Sequence, residues 1–572
     1  MRDAMLRGGP DSAGVYIDED ARLAFGHRRL SLIDLSEGGH QPMKDDSGDI
    51  VLLFNGEIYN FLELKEELKA SGAQFHSHSD TEVVIQAYLR WGNACYARFK
   101  GMFSIALYDK RSNELVLARD YAGIKPLYYY ADNDRLYFAS EIRAFKSLGN
   151  RWEENAQWKI YFLTYGYLPE PVTTFKNVFA LEKGSYKVFN VRTLQSKQQF
   201  FYKEDHTETV TDLEEAKSII RNTLDKAVKR HLIADAPIGL FLSGGIDSSI
   251  LTLLAKKHIP DHLYTLSVDF CDKEFSENEY QKIIVDKCKP IHSSFTLDEG
   301  SFIDAFPDIM EAMDQPSADG INSYFICKYA REYGLKAVLS GIGADELLGG
   351  YSSFKQSGTV AKVKNVPGFL FNLANLAPQD KYRKISFLST KDPVGEYLFY
   401  RGYFSMTETA RLLGVSRKEV YDTLSTVIVP DFVSNLTNGN KVSYLECNLY
   451  MLGQLLKDTD VMSMWHSIEV RVPFLDRDFI KAVHSISSDI KFGHSQSKYL
   501  LIESFKDVLP REIWDRKKQG FTLPFVNWMK DDRIQNKLKQ PNMKMRDRFL
   551  HGNLKWSRYW TYVLSNDFSG TI

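Results

Sequence analysis

Cysteine is scarce in this chain. The five present (Cys95, Cys271, Cys288, Cys327 and Cys447) never form a Cys-x-x-Cys pair. That excludes a disulfide framework and a clustered zinc site, and it suits a reducing cytoplasm. Charge of one sign is also missing: 72 Lys+Arg stand against 74 Asp+Glu, a net charge of −2. A nucleic-acid binder would show a basic excess, so small-molecule partners are expected instead. No run approaches the roughly 18 apolar residues of a membrane span, and the start carries no signal peptide. The most apolar stretch, Phe369-Leu-Phe-Asn-Leu-Ala-Asn-Leu-Ala377, is broken by asparagines and reads as a core helix. Neither internal repeats nor low-complexity segments are seen, and no membrane partner is expected.

At 572 residues, with 44% hydrophobic side chains, the chain has material for two or more domains. Residues 1–202 alternate apolar and polar positions in short segments, at 22–27, 49–54, 103–108, 114–118 and 135–139, which predict strands. Helices are predicted at 61–71 and at 81–91, the latter capped by Asp80. This half reads as an α+β layered domain. Residues 203–212 are polar and read as a linker. From 213 to 572 the pattern becomes helix–strand–helix, with apolar strands at 237–242, 263–269 and 335–340, each ending in a glycine or acidic loop. That is the sign of a parallel α/β sheet with its ligand at the strands' carboxyl ends. Beyond about residue 360 the chain reads as mostly helical.

Ser243-Gly-Gly-Ile-Asp-Ser-Ser249 sits between a predicted strand and a predicted helix. Backbone N–H groups at such a break, with the helix N-terminus behind them, make a phosphate cradle. A bare Gly-Gly pair would be an ordinary capped turn; the whole string in this context favours phosphate. Asp247 lies inside the cradle, where a carboxylate needs a cation to face phosphate, so Mg²⁺ is implied. A second acidic loop, with Asp345 and Glu346 between glycines 341, 343, 349 and 350, ends the third strand. A helix N-terminus enriched in acids is the plainer alternative there. Two carboxylates facing one cradle suit Mg²⁺–triphosphate.

The cradle resembles the pyrophosphate loop of N-type ATP pyrophosphatases. Ser463-Met-Trp-His-Ser-Ile-Glu-Val-Arg-Val-Pro-Phe-Leu-Asp476, Ser497-Lys-Tyr-Leu-Leu501 and Arg516-Lys-Lys-Gln-Gly-Phe521 resemble the glutamine-dependent asparagine synthetases. So do Gly26-His-Arg-Arg-Leu-Ser-Leu-Ile-Asp34, Gln41-Pro-Met43, Phe54-Asn-Gly-Glu-Ile-Tyr-Asn60, Ser79-Asp-Thr-Glu82, Ala118-Arg-Asp120 and Gly123-Ile-Lys-Pro-Leu-Tyr128. The resemblance spans nearly the whole chain, in order. It implies an Ntn-type glutaminase-like sandwich followed by an adenine-nucleotide α-hydrolase-like domain. It also implies adenylation of the aspartate side chain by ATP, release of pyrophosphate and displacement of AMP by ammonia, commonly in a cytoplasmic homodimer.

In family terms, Ser243, Gly244, Gly245, Asp247 and Ser248 hold the phosphates, and Asp247 and Asp345 hold Mg²⁺. Phe241, Val268, Ser340 and Gly341 line the nucleotide. Lys498 stabilises charge on the transferring phosphate. Arg29 holds the glutamine carboxylate, Asn55 and Gly56 form an oxyanion hole, and Glu57 and Asp80 meet the glutamine amino group. Two departures qualify the resemblance. Ile342 stands where well-known members carry Glu, the proposed proton acceptor, so another acceptor such as a uronic acid competes with aspartate. The family's N-terminal cysteine nucleophile is missing ahead of Met1-Arg-Asp-Ala-Met-Leu-Arg-Gly-Gly-Pro-Asp11. Cys95 is expected to be a small buried side chain. Either a preceding segment supplies the nucleophile, or this half does not hydrolyse glutamine and ammonia comes free. A non-catalytic nucleotide-binding homologue is the reading from another class.

Overall fold

The computed structural model describes residues 1–149, 151–270, 276–516, 524–538 and 543–568. Cys271 and residues 517–521 of the Arg516 motif lie outside them. The first half holds strands β1 (Ser12–Asp18), β2 (Leu23–Arg29), β3 (Met43–Lys44), β4 (Ile50–Ile58), β5 (Gly101–Asp109), β6 (Glu114–Arg119), β7 (Tyr128–Ala131), β8 (Leu136–Ala139), β9 (Phe179–Ala180), β10 (Ser185–Asn190) and β11 (Ser196–Phe200). An antiparallel six-stranded sheet has the order β11-β10-β6-β5-β4-β3, while β1-β2 and β8-β7-β9 form smaller sheets.

Strand alternation decides what each face buries. Ile50, Leu52 and Phe54 of β4 meet the helices Phe61–Ala70 and Asp80–Trp91 through Leu64, Leu68, Val83 and Val84. Val51 and Leu53 point the other way, against Tyr16, Phe25 and Leu127 of the smaller sheets and their loops. The big sheet is thus covered on both faces, and Cys95 is buried beside the helices. The helix at Asp80 is capped by Ser79, whose hydroxyl accepts from the Thr81 N–H at 3.1 Å. Asp80 is therefore a first-turn residue and not the cap expected from sequence.

The second half adds β12 (Ile238–Phe241), β13 (Tyr264–Phe270), β14 (Ile291–Leu297), β15 (Ala337–Leu339) and β16 (Glu469–Arg471). All pair in parallel, in the order β14-β13-β12-β15-β16. β12 is the point where successive strands begin to be added on its other side, which opens a crevice at its carboxyl end. β16, inside the Ser463–Asp476 motif, was not foreseen. It is three residues long, too short to show a period.

The halves are not separate bodies joined by a slack tether. The segment 203–212 is irregular but docked: the N–H groups of Thr209 and Val210 donate to Ser485 O at 2.8 and 2.9 Å. Glu204 meets Lys183 at 2.5 Å and His206 at 3.2 Å, and the His206 ring stacks on His484. The helix Trp158–Tyr165, from the first half, lies in the core of the second, among Phe306, Phe325, Tyr397 and Trp560.

One expectation fails outright. The 369–377 stretch is not a core helix: it is two short helical pieces, Gly368–Phe371 and Asn372–Leu376, with Phe369 70%, Leu373 63% and Leu376 83% exposed. Apolar composition alone cannot say whether a partner surface covers it. Among the described residues, no helix is long and apolar enough to cross a membrane.

Candidate functional site

β12 gives way at Leu242, and the helix Ile246–His258 starts at Gly245 with no side-chain cap on its first turn. Uncapped N–H groups at a helix start attract an anion. Gly244 is left-handed, with φ +74°, and a Cβ there would lie 2.8 Å from Gln281 N, so only glycine fits this turn. The Ser243 and Ser248 hydroxyls lie 3.0 Å apart, Ser248 Oγ accepts from Ser243 N–H, and the Gly245 N–H donates to Ser243 Oγ at 3.3 Å. These bonds hold the loop's shape from within.

β15 pairs directly with β12 and delivers the second loop. A Cβ on Gly341 would stand 2.9 Å from Asp247 Cβ, and one on Gly350 would overlap the Asp345 carboxylate. These close approaches bring the two acidic loops together. Lys498 completes the group from the residue before the helix Tyr499–Phe505, with φ +56°. Its Nζ lies 2.5 Å from Asp247 Oδ2 and 2.5 Å from Asp345 Oδ1. Burial opposes the ammonium, but the two carboxylates outweigh it and hold Lys498 above its ordinary pKa. Lys498, singled out only through its motif, is a buried cation.

These residues border a cavity of about 1130 Å³. Phe241, Ser243, Gly245, Asp247, Ser248, Val268, Ser340, Gly341, Asp345 and Lys498 all line it; Gly244 shapes the turn from behind. Ile342 lines it too and supplies no proton acceptor. Glu346 lines it as well, accepting from Gly343 N–H at 3.1 Å and from the Tyr351 hydroxyl at 2.6 Å. Arg516, at the near end of its motif, donates to Gly244 O and Glu277 and stacks on Tyr280. It braces the loop, a role that no local pattern signalled. Asp247 and Asp345 come from different strand ends yet reach one cation, and both offer hard oxygen donors. That donor set fits Mg²⁺.

A second, smaller cavity of about 60 Å³ gathers the other expected residues, Arg29, Asn55, Gly56, Glu57 and Asp80. The Arg29 guanidinium donates to the carbonyls of Ile33, Asp34 and Ser36, and a Cβ on Gly39 would collide with it. Asn55 Nδ2 donates to Ser140 Oγ at 3.2 Å. Gly56 has φ +142° and abuts Met102 O, which no side chain would permit. Asp80 Oδ2 accepts from Ile58 N–H at 2.9 Å, yet burial raises its pKa from 3.8 to about 7.

Met464 and Glu469 of the second half also line this cavity. Glu57 faces Arg471 Nη2 at 3.3 Å, and Arg471 Nε holds Glu469 at 2.9 Å. Arg471 is fully buried, and its own carbonyl accepts from Ser340 N–H at 2.8 Å. One residue thus touches both sites. It lay within a recognised motif, but its partners are distant in sequence, so nothing local marked it.

The asparagine synthase family model matches residues 219–551, and the glutamine amidotransferase domain model matches 1–202. The chain is 32% identical over 549 residues to "Asparagine synthetase [glutamine-hydrolyzing] 1" of Bacillus subtilis, covering 93% of this chain and 84% of that protein. It is 30% identical to a "Putative asparagine synthetase [glutamine-hydrolyzing]" of Mycobacterium tuberculosis, over 92% and 84%. It is 25% identical to "Amidase chry2" of Gibberella zeae, over 92% and 84%. Sequence motifs, two-part architecture and these likenesses agree: the chain belongs to the asparagine synthetase family.

Proposed function

We propose that the chain is an ATP-dependent amide ligase that adenylates the side-chain carboxylate of aspartate and forms asparagine. The observation that carries this reading is Lys498 held between Asp247 and Asp345 beside an uncapped helix start. A substrate carboxylate oxygen attacks the α-phosphorus of ATP, and pyrophosphate leaves. Ammonia then adds to the acyl carbon, AMP departs and the nitrogen gives up one proton. The cradle at 243–248 binds pyrophosphate through N–H groups and hydroxyls. Lys498 balances negative charge that grows on the phosphates. Mg²⁺ held by Asp247 and Asp345 would supply further neutralisation of the phosphate oxygens.

The glutamine-side residues support glutamine as the nitrogen source: Arg29 for its carboxylate, Asn55 and Gly56 for an oxyanion, Glu57 and Asp80 for its amino group. Ile342 supports a second reading, in which the acceptor is another carboxylate such as a uronic acid. The test supplies the protein with ATP, ammonium and either aspartate or a panel of other acids, and follows pyrophosphate release. Aspartate-dependent release with asparagine formed supports the first reading. Release with another acid alone moves the assignment to the second. Release with none, despite nucleotide binding, would make the chain a non-catalytic homologue.

A further inference from the structure

The exposed segment around Phe369 gathers several large apolar side chains within a short stretch. Phe369, Leu370, Leu373 and Leu376 stand out from one side of the two consecutive helical pieces, and Tyr382 adds an exposed ring nearby in the chain. The spacing 369, 370, 373, 376 is that of one helix face. The rim is basic. Lys362, Lys364, Lys381, Lys391 and Arg417 are all exposed. Lys391 reaches to within 3.6 Å of where a Gly368 Cβ would stand, Lys381 Nζ lies 4.8 Å from the Tyr382 ring centre, and Arg417 donates to Asn372.

Acids are withheld. The chain has no Asp or Glu between Glu346 and Asp380. Asp380 is paired with Arg558 and Arg383, and Asp392 caps the next helix through Gly395 N–H. In a chain with a net charge of only −2, this is a concentrated positive face.

The patch is also built rather than loose. Arg383 Nε donates to Ala377 O at 2.8 Å, and its Nη1 meets Glu408 at 2.7 Å. Behind it, the turn Lys384–Thr390 buries Phe387 and Leu388. Folding thus holds Phe and Leu side chains out in water with lysines around them. Protein–protein interfaces are depleted in lysine relative to the rest of the surface. Apolar side chains bordered mainly by Lys and Arg match a layer of acyl chains beneath anionic headgroups.

We propose that the face built from Phe369, Leu370, Leu373 and Leu376, with its basic rim, docks the protein onto an anionic lipid surface. Attachment is peripheral: the leucines enter the headgroup layer, the lysines meet lipid phosphates, and no segment crosses. This departs from the sequence expectation that no membrane would be a partner. It does not depend on which acid the ligase uses.

The test is cosedimentation of the full chain with vesicles of phosphatidylcholine plus phosphatidylglycerol, and with phosphatidylcholine alone. The wild type should pellet with the anionic vesicles, remain free of the neutral ones and be released by salt. Leu373→Glu with Leu376→Glu should abolish binding. Lys362→Glu or Lys364→Glu should each weaken it about fivefold or more. Pyrophosphate release in solution should be unchanged in all of these. Failure to pellet with anionic vesicles would overturn the proposal, as would equal binding to neutral ones. So would a lipid-free dimer that Leu373→Glu dissociates, which would assign the face to a second copy of the chain.

Discussion

The two cavities use buried ion pairs to opposite ends. In the larger cavity, one lysine sits between two carboxylates at the wall of a large open space, and Asp247 and Asp345 keep 19% and 21% of their side chains exposed. Beside the smaller cavity, Arg471 and Glu57 meet across the join of the two halves with 0% and 5% exposed. Acids that touch solvent can be rehydrated when their partner leaves; a sealed acid cannot. The first arrangement can exchange partners, as the proposed reaction requires; in the second, Arg471 rivets the two halves together through Glu57, which also borders the smaller cavity.

Substitutions at three residues would break or sharpen that contrast. The largest effect belongs to Lys498→Met, which should lower pyrophosphate release by about 10²–10³-fold and move the unfolding midpoint far less than Arg471→Met does. Lys498→Arg should not restore the rate, because the planar fork cannot occupy the position of a point charge. If Lys498→Met instead unfolded the protein with its rate per folded molecule intact, the contrast would collapse.

Arg471→Met should show the reverse. It strands Glu57 and Glu469 and removes donors to the His231 and Ile233 carbonyls. A loss of about 3–5 kcal/mol in urea unfolding is expected, larger than for any of the surface lysines. A loss under about 1 kcal/mol, the range of an exposed pair, would show that the rivet carries no load.

The third effect is in the pH dependence, and the size of the shift makes it of the same order as that of Arg471→Met. Burial lifts the Asp80 carboxyl from 3.8 to about 7, so the folded state holds its proton more tightly than the unfolded state does. Its contribution to stability is complete below about pH 4 and is lost as pH rises to about 7. Asp80→Asn, which can still accept from Ile58 N–H, should flatten that decline. An unchanged slope between the two proteins would contradict the assignment.

Legibility in the sequence followed the range of the interaction. The strand–glycine–helix break at 243–249 is written in neighbouring residues, so the cradle and its parallel sheet could be read directly. The apolar runs of β4 and β5 were equally plain, since both faces of their sheet are covered. Lys498 was visible only through its motif: a left-handed residue ahead of a seven-residue helix leaves no periodic mark. Arg516 and the pairing of Arg471 with Glu57 were not legible, because each joins segments far apart in the chain. The 369–377 stretch was misread for a related reason. Hydropathy reports what a side chain prefers, not whether the fold offers it a partner.

The helix Trp158–Tyr165 has a practical consequence. Its Trp158, Phe162 and Tyr165 side chains complete a core made mostly by residues beyond 295. Cutting the chain near residue 202 would tear those rings out of one fragment and leave a matching hollow in the other. Chimaeras that exchange glutaminase halves between relatives should therefore carry residues 158–168 with the synthetase part, or redesign the surface that receives them.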